Sequence, residues 1–148
     1  MEQLIIFLIL MAVGYTAGTM AERKHYKSIE AREQAFLRMP AVTFWKTVID
    51  ESAVRKAELV SGSAVIAVDY FKQFLAGLRN IFGGNVRSYE SLIDRARREA
   101  ILRMKEAAGD AAIIVNVRLE TSTIGQSGRK QKSTCVEVLA YGTALTLQ

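Results

Sequence analysis

The chain opens on an uninterrupted apolar stretch. From Gln3 to Ala21 no residue is charged, and Leu4, Ile5, Ile6, Phe7, Leu8, Ile9, Leu10, Met11 and Val13 crowd its first part. As a helix rising about 1.5 Å per residue it spans roughly 28 Å, the thickness of a bilayer's hydrocarbon core. Residues 1–22 are therefore read as one transmembrane helix. A cleaved signal peptide is the rival reading, but it would want a positive amino end, and here Arg23, Lys24 and Lys27 follow the apolar stretch instead.

The pattern then changes period. Residues 23–40 mix Ile29, Ala35, Phe36 and Met39 with Arg32 and Arg38, predicting a juxtamembrane amphipathic helix capped by Ser28 and stopped by Pro40, the single proline. Such a helix fits either the bilayer surface or the domain. Residues 41–48 (AVTFWKTV) are β-branched and aromatic and read as a strand, with Trp45 as a core or interface residue. Residues 59–68 read as another strand, with Gly62 marking a bulge or a close backbone approach. Asp69 then stands at the cap of a helix over 70–80, whose Phe71, Phe74, Leu75 and Leu78 share a face, and Gly83-Gly84 turns the chain.

Ser88 caps a long helix reaching Ala108, terminated by Gly109. Its stripe of Ile93, Ala96, Ala100, Met104 and Ala107 is narrow and small-sided, suited to close packing on a sheet, while Arg95, Arg97, Arg98, Glu99, Arg103, Lys105 and Glu106 read as a solvated face. Ile101 and Leu102 widen the apolar surface and call for a second contact, to another subunit. Residues 111–120 alternate Ile113, Val115, Val117 and Leu119 with polar neighbours, the signature of a half-buried strand. A polar hairpin over 125–132 leads to a last strand over 133–147, apolar on both faces. The predicted class is α+β: a small antiparallel sheet with one long helix packed on it, whose edges and surplus apolar surface favour self-association.

Charge sharpens this picture. All 20 Lys and Arg of the 148 residues, but only 13 of the 15 acids, lie beyond residue 22, so the basic surplus belongs to the part outside the lipid. Directly after a membrane span it suits anionic headgroups, and no aromatic-plus-basic motif accompanies it, so nucleic acid is not expected as a partner. The positive-inside tendency at Arg23, Lys24 and Lys27 places the domain in the cytoplasm at a bacterial inner membrane, with the amino terminus outside. Gly14 and Gly18 form a G-x-x-x-G spacing through which two membrane helices can approach. The lone Cys135 excludes an internal disulfide. Asp69, Glu90, Glu120 and Glu137 are available acids, yet no spacing pairs them for acid–base work, so no catalytic residue and no cofactor is expected.

Several short motifs together carry a resemblance. Val60-Ser61-Gly62, the stretch around Phe74 to Arg79, Phe82-Gly83-Gly84, Tyr89-Glu90, the run from Arg95 to Ala100, the run from Ala112 to Arg118, and Ala140-Tyr141-Gly142-Thr143-Ala144 resemble the YbjQ-like family. The similarity covers about residues 41–148, and the family is labelled heavy-metal-binding. It implies a dodecin-like β-α-β-β unit assembling as a homo-oligomeric ring, typically a pentamer, with sheets at the interfaces. The added membrane helix departs from that pattern. One chain lacks the several converging ligands that a metal site needs, since His25 adjoins the membrane and Cys135 lies in the last strand. A ring could gather Cys135 or Glu137 from each subunit around an axis. The expected function is a membrane-anchored, non-enzymatic, homo-oligomeric scaffold facing lipid or a protein partner. The alternative is a module binding a small ligand or metal between subunits.

Overall fold

The computed structural model describes residues 1–44, 49–67, 87–125 and 134–148. Helix α1 (Glu2–Ala35) runs without a break, a short 3-10 turn follows at Glu51–Ala53, and β1 (Val54–Ala67), α2 (Arg87–Ala107), β2 (Ile113–Gly125) and β3 (Thr134–Leu147) form the folded unit. The expected juxtamembrane helix thus does not start afresh at Ser28. No glycine or proline lies between Ala21 and Pro40, so nothing in the sequence interrupts the ladder, and the Ser28 carbonyl accepts Arg32 Nε at 3.4 Å within the helix. The expected helix over 70–80 with Asp69, the Gly83-Gly84 turn, most of the 125–132 hairpin and Trp45 lie outside the described residues.

The sheet order is β1-β3-β2, antiparallel throughout, so the doubly apolar β3 is the central strand. Strand β1 begins at Val54, earlier than its apolar pattern suggests, because Val54 to Glu58 pair with the end of β3 although their side chains stay largely exposed. Among the described residues of the expected 41–48 strand, one bridge forms, parallel, from Ala41 to Ile114. The Val42 amide donates to the Ile114 carbonyl at 2.9 Å, and the Val117 amide donates to the Val42 carbonyl at 3.0 Å. This short addition covers the first part of the β2 edge. There β2 bulges between Val115 and Arg118, with Asn116 in the left-handed region at φ 55.

Helix α2 lies across one face of the sheet. Ala96, Ala100 and Met104 are fully buried against Val60, Ala64, Val136, Val138 and Ala140. Of the predicted stripe, Ala107 alone is exposed, as the helix runs off the sheet. The close approach foreseen at Gly62 is real, since a Cβ there would stand 2.3 Å from the Met104 backbone nitrogen and 2.5 Å from the Ala100 carbonyl oxygen. Gly109 ends the helix region at φ +56. On the opposite face Ile113, Val115 and Leu145 make a smaller core under Val42, Ile49 and Val54, and the middle of that face is bare.

Candidate functional site

Two surfaces present chemistry, and both follow from how the helices and sheet meet. The first is the seam between the carboxyl-terminal half of α1 and α2. Tyr26 donates its hydroxyl to the Ser91 carbonyl at 3.1 Å, Arg98 takes both Glu33 oxygens at 2.7 and 2.6 Å, and Lys105 Nζ donates to the Phe36 carbonyl at 3.3 Å. Contacts thus advance along both chains together, so the helices run parallel. Helical spacing sets Ile29 between Tyr26 and Arg32, and Leu102 between Arg98 and Glu106. Ile29 is fully buried and Leu102 nearly so. The expected subunit contact at Leu102 is therefore unnecessary: the chain covers it with its own first helix.

At the centre of the seam stands Glu99, 5 % exposed. It receives Arg32 and, at 2.9 Å, Arg103 Nε, while His25 Nε2 stands 3.6 Å away. Arg32 also reaches Glu106 at 3.2 Å. The helix face read as solvated is thus partly buried, because α1 brings complementary charge onto it. Burial opposes ionisation of Glu99, but its hydrogen bonds from Arg32 and Arg103 outweigh that and hold its carboxyl below the usual range. The Glu33 carboxyl is likewise held low by its hydrogen bonds from Arg98. Burial, with help from Arg95, Arg32 and Arg103, pushes the His25 imidazole down against the pull of Glu99. A carboxylate so firmly ionised is a structural anion and no proton donor at neutral pH. The Arg98 guanidinium also sits 5.9 Å from the Tyr26 ring centroid, within cation–π range.

The second surface is the bare face of the sheet. Leu59 is 79 % exposed, Val65 58 % and Leu139 39 %. Register puts them with Ser61, Ser63, Cys135, Glu137, Tyr141, Arg118, Glu120 and Ser122 on the side away from α2. Cys135 and Glu137 therefore do share a face, both half-buried, paired across to Ala67 and Val65 on one side. His25 lies with the helices on the other side of the sheet. Among the described residues no group of three or more His, Cys, Asp or Glu gathers where a metal ion could be held. Gly14 sits on an open helix face with nothing within 4 Å of a notional Cβ, and Arg23, Lys24 and Lys27 are exposed further along the same helix. The structure brings none of these predicted residues together with Cys135 or Glu137. The seam escaped the sequence reading, although its trace was there: Arg32-Glu33 and Arg98-Glu99 are the same dipeptide on two helices, so that each Arg finds the Glu of the other helix.

The fold defines a class: a small α+β domain with a three-stranded antiparallel sheet under one long helix, carried on a helix of membrane-spanning length. Comparison with known proteins narrows this, and the chain belongs to the YbjQ-like family, whose model, described as "Putative heavy-metal-binding", matches residues 41–148. A UPF0145 protein of Hahella chejuensis is 36% identical over 109 residues, covering 72% of this chain and 98% of the relative. The UPF0145 protein DET1617 of Dehalococcoides mccartyi shows the same identity and coverage. The UPF0145 protein OE_4416R of Halobacterium salinarum is 36% identical over 104 residues, covering 69% of this chain and 93% of its own. These names assign no reaction. A crystal structure from Pediococcus pentosaceus, titled a protein with unknown function of the DUF74 family, superposes with a TM-score of 0.50 at 15% identity. It covers 74% of this chain and 98% of that one, and supports the fold alone. The family match begins at Ala41, so all of α1 lies outside it.

Proposed function

We propose that this protein is a membrane-anchored, homo-oligomeric, non-enzymatic assembly module: α1 spans a bacterial inner membrane once, with its amino terminus outside, and the domain forms a ring in the cytoplasm, a pentamer or a multiple of it. The observation that carries the reading is the continuity of α1. Its apolar part has no residue buried inside the protein, while its other half is clamped to α2 by Tyr26, Ile29, Arg32 and Glu33. Cleavage after the apolar part would fall inside one helix whose remainder is part of the fold, which favours a retained anchor over a signal peptide. Assembly is supported by the apolar face around Leu59, Val65 and Leu139 and by the edge of β1, which no strand among the described residues pairs and which a second copy would satisfy. Gly14 and Gly18 offer a close-packing face for neighbouring membrane helices, and Arg23, Lys24 and Lys27 meet the headgroups. Alkaline carbonate extraction of membranes carrying the full-length chain tests the anchor. Retention in the pellet agrees with the proposal, and release into the supernatant contradicts it.

A second reading rests on the shared face of Cys135 and Glu137. In a ring these residues recur once per subunit, and a metal or small ligand would bind between copies. Zinc or cadmium at a fixed ratio per ring in dialysed protein, lost in Cys135→Ser, supports this alternative. The scaffold reading expects no stoichiometric metal.

A further inference from the structure

The parallel register of the two seam helices fixes how far the domain stands from the lipid. Tyr26 meets Ser91, Glu33 meets Arg98 and Phe36 meets Lys105, so the helices advance nearly in step. Carried back four residues from Ser91, the same register sets Arg87, the first residue of α2, level with Glu22. Glu22 directly follows the uncharged stretch that ends at Ala21. Tyr26 lies four residues further on, about 6 Å along the helix axis. A headgroup layer is roughly 5 to 8 Å deep on each side of the hydrocarbon core. We infer that the first turn of α2, Arg87 to Ser91, lies within the phospholipid headgroup layer, so that the domain is seated flush on the bilayer instead of hanging from a tether. This rests on the reading of α1 as a membrane span.

Three further features agree with that seating. The helix is unbroken across the boundary, so no hinge lets the domain swing away. The seam is clamped close to the boundary by Tyr26 and by the ring-to-guanidinium contact of Arg98, and further along by Glu33 and Arg32. At the level of the headgroups Arg23, Lys24 and Lys27 are exposed to take phosphate, while Glu90 on α2 is exposed beside them. Acid and base are mixed at this level, so the surface suits zwitterionic headgroups as well as anionic ones. The far end of α2 is different: Ala107 lies about 30 Å beyond the boundary, and Asp110 just past it stays clear of lipid.

The lone cysteine makes the test direct. In full-length protein carrying Cys135→Ser, single cysteines introduced as Leu8→Cys, Glu90→Cys or Asp110→Cys take an environment-sensitive fluorophore. Each variant is reconstituted into phosphatidylcholine vesicles, with and without one-fifth phosphatidylglycerol, that hold a nitroxide either on the headgroup or midway along the acyl chain. The Glu90 position is expected to lose at least half its emission to the headgroup nitroxide and little to the acyl one, in both compositions. Leu8 shows the reverse preference, and Asp110 responds to neither. Glu90 responding as weakly as Asp110 while Leu8 is quenched overturns the seating and leaves the anchor standing. Leu8 unquenched by the acyl nitroxide overturns the membrane span, and the seating with it.

Discussion

Gly62 shows how one missing side chain sets the spacing of the whole domain. A methyl group there would penetrate the backbone of α2 at Ala100, Arg103 and Met104, all backbone atoms that cannot rotate away. Gly62→Ala should therefore cost about 2 kcal/mol or more, toward the upper end for overpacked cores, read as a lowered midpoint in chemical denaturation. Glu99 is the other decisive residue. Glu99→Gln leaves Arg103 without its anion and Arg32 with Glu106 alone in a partly buried seam; since Arg103 is half exposed, the expected loss is about 1 to 2 kcal/mol instead of the larger value for a fully buried pair. The pH dependence has a definite sign. Glu99 and Glu33 titrate below their ordinary 4.5, so their stabilisation is present above that value and is lost as pH falls through their lower folded values. His25 is held below 6.5, so protonation favours the unfolded chain, and stability begins to fall once pH drops below 6.5. Thermal unfolding from pH 7 to pH 2 should show both steps, and His25→Gln should remove the upper one.

Among the elements, α2 and the apolar part of α1 were legible from their patterns, while the joining of residues 1–22 and the juxtamembrane helix into one unbroken α1 was not. Alternation marked β2 as a strand but not its faces, because the bulge at Asn116 leaves Ile113 and Val115 on one side and turns Val117 and Leu119 to the other, and the Ala96, Ala100, Met104 stripe marks the sheet-facing side of α2. Gly62 and Gly109 gave away a close approach and a helix end. What the pattern could not convey was partnership. Charges on α2 look solvated in one dimension, and become a seam only when α1 continues straight past residue 27 and lays Arg32 and Glu33 alongside. The early start of β1 escaped for a related reason: Val54 to Glu58 belong to the sheet through backbone pairing with β3, while their side chains stay out of the core. The sharing of a face by Cys135 and Glu137 follows from strand period alone, whereas their pairing with Ala67 and Val65 needed the register of the sheet. At this scale Ile29→Ala tests the seam. Removing a fully buried side chain should cost about 2 to 4 kcal/mol and loosen α1 from α2, seen as faster amide exchange over residues 87–107.

At the scale of the molecule, the described residues leave apolar surface open to solvent. One helix covers one face of a three-stranded sheet, a short extended segment covers part of the other, and apolar residues remain open on the rest. Association through that face would bury Leu59, Val65 and Leu139, and the proposed anchor would restrict all copies to one plane and one orientation. That raises their effective concentration and favours closed rings over open fibres. A charge placed at the face centre, Leu139→Arg, should dissociate the assembly while leaving the fold and the seam intact, as judged by unchanged circular dichroism. The most direct test of the account is the mass of the full-length protein in detergent, with bound detergent subtracted, measured together with its metal content. A discrete ring of five subunits or a multiple of five, free of stoichiometric metal, is the predicted result; a monomer would contradict the assembly on which the proposed function rests.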